Sequence, residues 1–139
     1  MAATFPLDIV TPERTVLAET AVSVRLPAIT GSLGVLAGHA PMLVELGVGE
    51  CLVRLASGAE ETLVISGGFV EVTREKVTAL ADTAEFATEI DVDHAEKTLL
   101  EAREMLSTLE AGNASKRDAA NAALQHAQAR LRVARGDRG

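Results

Sequence analysis

The hydrophobic period of this 139-residue chain changes once, near residue 90, and that change constrains the fold more than any other feature. Up to that point short segments alternate apolar and polar residues between turns, the period-two signature of strands with one face in a core. Beyond it, apolar residues recur every three or four positions, as packed helices require. Residues 4–10, 21–27, 34–36, 48–56, 61–66, 69–73 and 76–81 read as strands. Val22, Val24 and Leu26 alternate with Ser23 and Arg25, and Val53 and Leu55 alternate with Leu52 and Arg54. Ser57-Gly58, Gly67-Gly68 and Arg74-Glu75 supply hairpin or corner turns. The expected fold is mainly β plus α: a flattened β-sandwich or barrel of about ten short strands in residues 1–86, then an antiparallel two-helix hairpin in residues 87–139.

The helical half is specified in more detail. Val92, Ala95, Leu99, Ala102, Leu106 and Leu109 mark one seam, and Ala120, Leu124, Ala127, Leu131 and Ala134 mark the other. Asp91 is placed as the first N-cap, with Asp93 favoured in the first turn by the helix dipole. Ser115 is placed as the second cap, with Asp118 three residues on, and Gly112-Asn113 as a left-handed exit within the connection Ala111-Gly112-Asn113-Ala114. A short connection between matched seams predicts antiparallel packing. Because the second seam is mostly alanine, it buries little apolar area, and ordering each residue costs on the order of 1.5 kcal/mol. The hairpin is therefore expected to be weakly held and able to change conformation.

Composition removes several classes of function. Apolar residues make up 47% of the chain, yet no run approaches the roughly 20 residues of a membrane span. The N-terminus shows neither a secretory signal nor an Arg-rich transit peptide, which makes a cytoplasmic-side protein the expectation. Cys51 is the single cysteine and sits in an alternating segment, so it is expected to be a buried small hydrophobe. With no Trp or Tyr and three Phe, the chain lacks stacking platforms for single-stranded nucleic acid. The net charge of −7 is divided unevenly, +4 over residues 115–139 and −11 over residues 1–114, so the tail suits an acidic partner.

Residues 31–43 read GSLGVLAGHAPML, residues 66–72 read SGGFVEV, and residues 77–85 read VTALADTAE. With PLDIVTPE at residues 6–13 and ARLRVA at residues 129–134, these segments resemble the epsilon subunit of F-type ATP synthases over nearly the whole chain. The resemblance implies a β-sandwich followed by a helical hairpin. It further implies a non-catalytic subunit of the central stalk that binds the gamma subunit and the c-ring and couples ion-driven rotation to ATP synthesis. Such a protein would reside peripherally at the cytoplasmic face of the bacterial membrane, touching the membrane only through the complex.

By the same resemblance, Gly31, Ser32, Gly34, His39, Pro41 and Met42 are the expected contacts with the c-ring or gamma. Many members of the family carry an acidic residue at the position of Ser32. Val35, Leu36, Met42 and Leu43 are assigned mostly to the core. Some family members are ATP sensors with an Ile/Leu-Asp-x-x-Arg-Ala motif. Here the segment is Ile90-Asp91-Val92-Asp93-His94-Ala95, and His126 stands where those sensors carry a basic residue, leaving Arg130 as the match. Imidazole offers fewer donors than guanidinium, so at most weak ATP binding is expected and no cofactor is required. The alternative function carried forward is a sensor whose hairpin folds on ATP. Inhibition of ATP hydrolysis through the alpha/beta head is expected to use Lys116, Arg117, Arg130, Arg132 and Arg135. No nucleophile elbow, metalloprotease helix or phosphate loop accompanies His39 or the glycines, so no catalytic residue is assigned.

Overall fold

The computed structural model describes residues 3–109 and 112–136. It divides into two compact units, Met1–Phe86 and Ala87–Gly139.

In the first unit, β1 (Phe5–Val10) places Phe5, Leu7 and Ile9 inward, as its alternation dictates. It is followed by β2 (Thr15–Ala28), β3 (Gly31–Leu36), β4 (Met42–Glu45), β5 (Val48–Leu55), β6 (Glu60–Val72) and β7 (Val77–Phe86). The strand order is β1-β7-β6-β5-β2-β3, and β1 also pairs with β2, so five strands close on themselves. β3 extends from β2 and β4 from β6. Only the β1–β7 pairing is parallel among those described. Leu7, Ile9, Val24, Leu26, Val35, Val53, Leu63, Ile65, Val70 and Val72 fill the interior. This is the flattened sandwich expected, built from seven strands rather than about ten.

Three local features depart from the predicted strand ranges. Gly67-Gly68 does not separate two strands: β6 runs through it, with positive φ at both glycines, while β7 pairs alongside from Leu63↔Phe86 to Val72↔Val77. At that corner β6 changes its other neighbour, from β5 at Val48↔Ser66 to β4 at Glu45↔Phe69. β2 starts at Thr15, six residues before the predicted strand, because its first half pairs with β1. A register shift between Ala21 and Ser23 then lets Ala21 and Val24 both point inward. Finally, Met42–Glu45 forms a strand outside the predicted ranges.

Cys51 is fully buried, as expected. Burial, and secondarily the charge of Glu50, pushes its thiol up to about 12.

In the second unit, a 3-10 turn at Ala87–Glu89 leads into α1 (Val92–Thr108). Asp91 caps it as predicted, accepting the His94 backbone N–H at 3.0 Å. α2 (Ala114–Ala134) begins one residue before the predicted cap. Ser115 therefore lies inside the first turn and the Ser115/Asp118 capping box does not form. Asn113 is the N-cap, without a side-chain cap bond, and its carbonyl accepts from Arg117 N at 3.1 Å. Ala114, a strong helix former, carries the first turn back by one position.

The expected exit is placed differently: α1 ends on an extended Leu109, three residues before Gly112, and Asn113 has φ −100° and serves as the cap of α2. The Arg117 guanidinium donates to the Leu109 carbonyl at 3.4 Å, supplying a partner for one of the carbonyls a helix end leaves open. Ala111 of the expected connection lies outside the described residues. Both seams face inward as read: Ala95, Ala102, Ala120, Ala127 and Leu131 are buried, joined by Ala129 and Val133. Arg117 meets the end of α1 while Arg130 and Arg135 meet its start, so the pair is antiparallel.

Candidate functional site

The expected partner contacts do not form one cluster. Gly31 and Ser32 open β3 beside the two-residue β2–β3 turn, whereas His39 and Pro41 lie beyond the other end of that strand. The two groups lie toward opposite ends of this six-residue strand, which spans about 17 Å. His39 is half-buried, and its Nδ1–H donates to the Ala40 carbonyl at 2.8 Å, which ties the ring to its own backbone. Gly34 lies mid-strand and exposed, Pro41 is exposed, and Met42 packs against the core.

The assignment of Val35, Leu36, Met42 and Leu43 to the core holds for half of the set. Val35 is buried and Met42 leans on the interior, but Leu36 is 64% exposed and Leu43 69%. Strand phase explains the split, since neighbours along a strand point to opposite faces.

Leu43 belongs to an outward apolar face that sequence reasoning missed. Phe69 stands opposite Glu45 of β4 on one side and Leu80 of β7 on the other, and Leu43 stands opposite Glu71 on the next rung. Phe69 is 51% exposed and Leu80 55%. Three large apolar side chains thus share one face of β4, β6 and β7, with Glu45 and Glu71 among them. The signal was present: Phe69 is in phase with Glu71 and not with Val70 and Val72, and Leu80 is in phase with Thr78 and Asp82. An exposed apolar group of this kind marks an interaction site.

On the hairpin, the expected nucleotide residues are partly brought together. Arg130 Nη1 donates to His94 Nδ1 at 3.0 Å, so the imidazole acts there as an acceptor. Asp91 is occupied in capping, Ala95 is buried in the seam, and Ile90 and His126 are half-buried. Of the basic residues, Arg117 is bound to Leu109, Arg130 to His94, and Arg135 to Glu96 at 2.9 Å, while Lys116 and Arg132 face solvent. Among the described residues no group of three or more His, Cys, Asp or Glu side chains could hold a metal ion, and no helix is long and apolar enough to cross a membrane.

Comparison with known proteins gives these surfaces a context. Residues 4–87 match the family model for the ATP synthase delta/epsilon chain β-sandwich domain. The ATP synthase epsilon chain of Moorella thermoacetica is 44% identical over 95% of this chain and 97% of its own length. The sodium-ion-specific epsilon chain of Propionigenium modestum is 45% identical over 77% of each chain. A chain in the structure of the Euglena gracilis mitochondrial ATP synthase, comprising OSCP, F1 and c-ring, superposes with a TM-score of 0.79 at 27% identity, covering 91% of this chain and 78% of that one. A chain of the Tetrahymena thermophila central stalk and c-ring shares the fold, with a TM-score of 0.64 at 16% identity over 95% and 97% of the two chains. The sandwich with its outward apolar face and the alanine-seamed hairpin are the two units of one lineage, and the chain belongs to the ATP synthase delta/epsilon chain family.

Proposed function

We propose that this chain is a non-catalytic central-stalk subunit of a rotary ATP synthase, held by the gamma subunit and the c-ring and turned with them. The outward face of Leu43, Phe69 and Leu80 carries the reading. Covering the exposed part of each side chain would contribute about 1 kcal/mol, and a partner that covers all three would be gripped with no nucleotide present. Gamma is the partner assigned to this face. The two ends of β3, with Gly31 and Ser32 at one and His39 and Pro41 at the other, are assigned to gamma and the c-ring as the family resemblance implies. The complex would keep the chain peripheral, at the cytoplasmic face of the bacterial membrane.

The hairpin is assigned the regulation of ATP hydrolysis, with Lys116, Arg117, Arg130, Arg132 and Arg135 docking on the alpha/beta head. No cofactor is required in this reading, and ATP binds at the His94–Arg130 region weakly at most. The experiment is co-purification of gamma with the wild-type chain and with Phe69→Asp, without nucleotide. Wild type retains gamma and the variant loses it, with the circular dichroism of the two chains unchanged. Retention of gamma by a folded Phe69→Asp chain would refute the assignment.

A further inference from the structure

A second outward face carries a different chemistry. β3, β2 and β5 lie side by side, and two rungs cross them: Leu36 opposite Ser23 opposite Arg54, and Gly34 opposite Arg25 opposite Leu52. Together they line a shallow cavity of about 320 Å³. Leu36 and Leu52 form its apolar walls, and Arg25 and Arg54 are diagonal neighbours on adjacent strands.

Gly34 is the informative residue. Its φ is not positive, and no atom lies within 4 Å of where a Cβ would stand. Neither backbone conformation nor packing within the chain calls for glycine, yet glycine in a strand interior weakens it. A bare backbone at such a place is what the close approach of another molecule requires.

The charge says which molecule. Arg25 has no hydrogen-bond or ion-pair partner among the described residues, in a chain of net charge −7. Arg54 has one partner, Glu60 at 3.2 Å, and both side chains remain about half exposed, so that pair is weak and exchangeable. Two guanidinium groups suit carboxylates in forked geometry. Leu36 and Leu52 suit an apolar side chain, which an inorganic anion or a nucleic-acid backbone does not supply. Glu50 shares this face beyond Leu52, which directs the incoming carboxylate toward the Arg25 and Arg54 side.

We propose that the outer face of β2, β3 and β5 docks an acidic protein segment that lays an apolar side chain over Gly34 and pairs its carboxylate with Arg25 and Arg54. This surface is distinct from the Leu43–Phe69–Leu80 face, where carboxylates flank the apolar residues and a basic partner fits.

The test is site-specific photocrosslinking in the assembled synthase, with p-benzoylphenylalanine replacing Leu36 in one chain and Leu43 in another. The Leu36 probe is expected to label a protein segment with an Asp or Glu within about one helical turn of the adduct. Arg25→Glu should lower that yield about five- to tenfold, leaving the Leu43 adduct and the unfolding midpoint unchanged. An adduct on lipid, on nucleic acid, on a basic segment or on the chain's own hairpin would overturn the proposal, as would no adduct at all or a yield indifferent to Arg25→Glu. The Leu43 probe reports separately on gamma, so failure of either assignment is seen without the other.

Discussion

Replacing Gly68 by alanine should be far more damaging than its size suggests. A Cβ there would strike the Leu80 carbonyl oxygen and sit 2.8 Å from the Ala81 Cα, both backbone atoms of the paired strand. Gly68 also has φ +103°, where an L-residue is strained by roughly 1–2 kcal/mol. Relieving the overlap means parting the β6–β7 ladder at the corner, an overpacking cost of about 1–3 kcal/mol. The expected loss is therefore about 2–5 kcal/mol, a large part of the stability of a domain this size. Gly58 provides the control: its φ is +96° but no atom lies within 4 Å of its Cβ site, so Gly58→Ala incurs the conformational cost alone. Urea denaturation of the two variants, followed by far-ultraviolet circular dichroism, isolates the clash as the difference between them. Equal midpoints for Gly58→Ala and Gly68→Ala would refute the reasoning. Because Phe69 follows the corner directly and faces Leu80, Gly68→Ala should also weaken retention of gamma in the proposed assembly.

Three further outcomes are expected. The Cys51 thiol, raised from 9.0 to about 12, should resist maleimide at pH 8 in the folded chain and react once the chain is unfolded in urea; stability held by burying the neutral thiol is intact below pH 9 and falls as the pH rises toward 12, read as a declining urea midpoint. His94→Arg should raise ATP affinity about tenfold by calorimetry through added charged donors, while loosening the nucleotide-free hairpin by placing a second guanidinium against Arg130. Gly34→Val should leave the free chain at least as stable to urea, since its side chain enters open space, and should abolish the Leu36 photoadduct in the assembled synthase.

What the sequence disclosed and what it withheld divide along a physical line. Alternation within one strand and seams within one helix are local, so the sandwich, the hairpin, the Asp91 cap and the buried Cys51 were all legible. Pairing between strands is not local. Gly67-Gly68 reads as a turn when only its neighbours are considered, and becomes a corner because β7 pairs along both sides of it. Met42–Glu45 is four residues long, and nothing but its partner Phe69–Val72 makes it a strand. The face around Gly34 joins residues 25, 34 and 52 through two separate registers, which no linear motif encodes. The second helix start was missed because Asn113, which ranks with Ser115 as an N-cap, was read as part of the turn that closes the first helix.

The polar contacts of the hairpin bear on the regulation assigned to it. The seam buries mainly alanine, with Leu131 and Val133 as its larger buried members, so apolar area holds it weakly. The remaining hold includes Arg117 to Leu109, Arg130 to His94 and Arg135 to Glu96. These three cations are also among the five proposed to dock on the catalytic head, and one guanidinium cannot fully satisfy both sets of partners. Folding the hairpin and docking it would then compete for the same charges, which makes the choice between them a difference of modest terms. Salt weakens exposed ion pairs on both sides of that balance, whereas the Arg117–carbonyl bond and the alanine seam are less sensitive to it. Raising ionic strength should therefore favour the closed hairpin over the docked one, and removing residues 115–139 should make ATP hydrolysis by the assembled head both faster and indifferent to this shift. Hydrolysis unchanged by that truncation across a range of salt would take the hairpin out of the regulatory account.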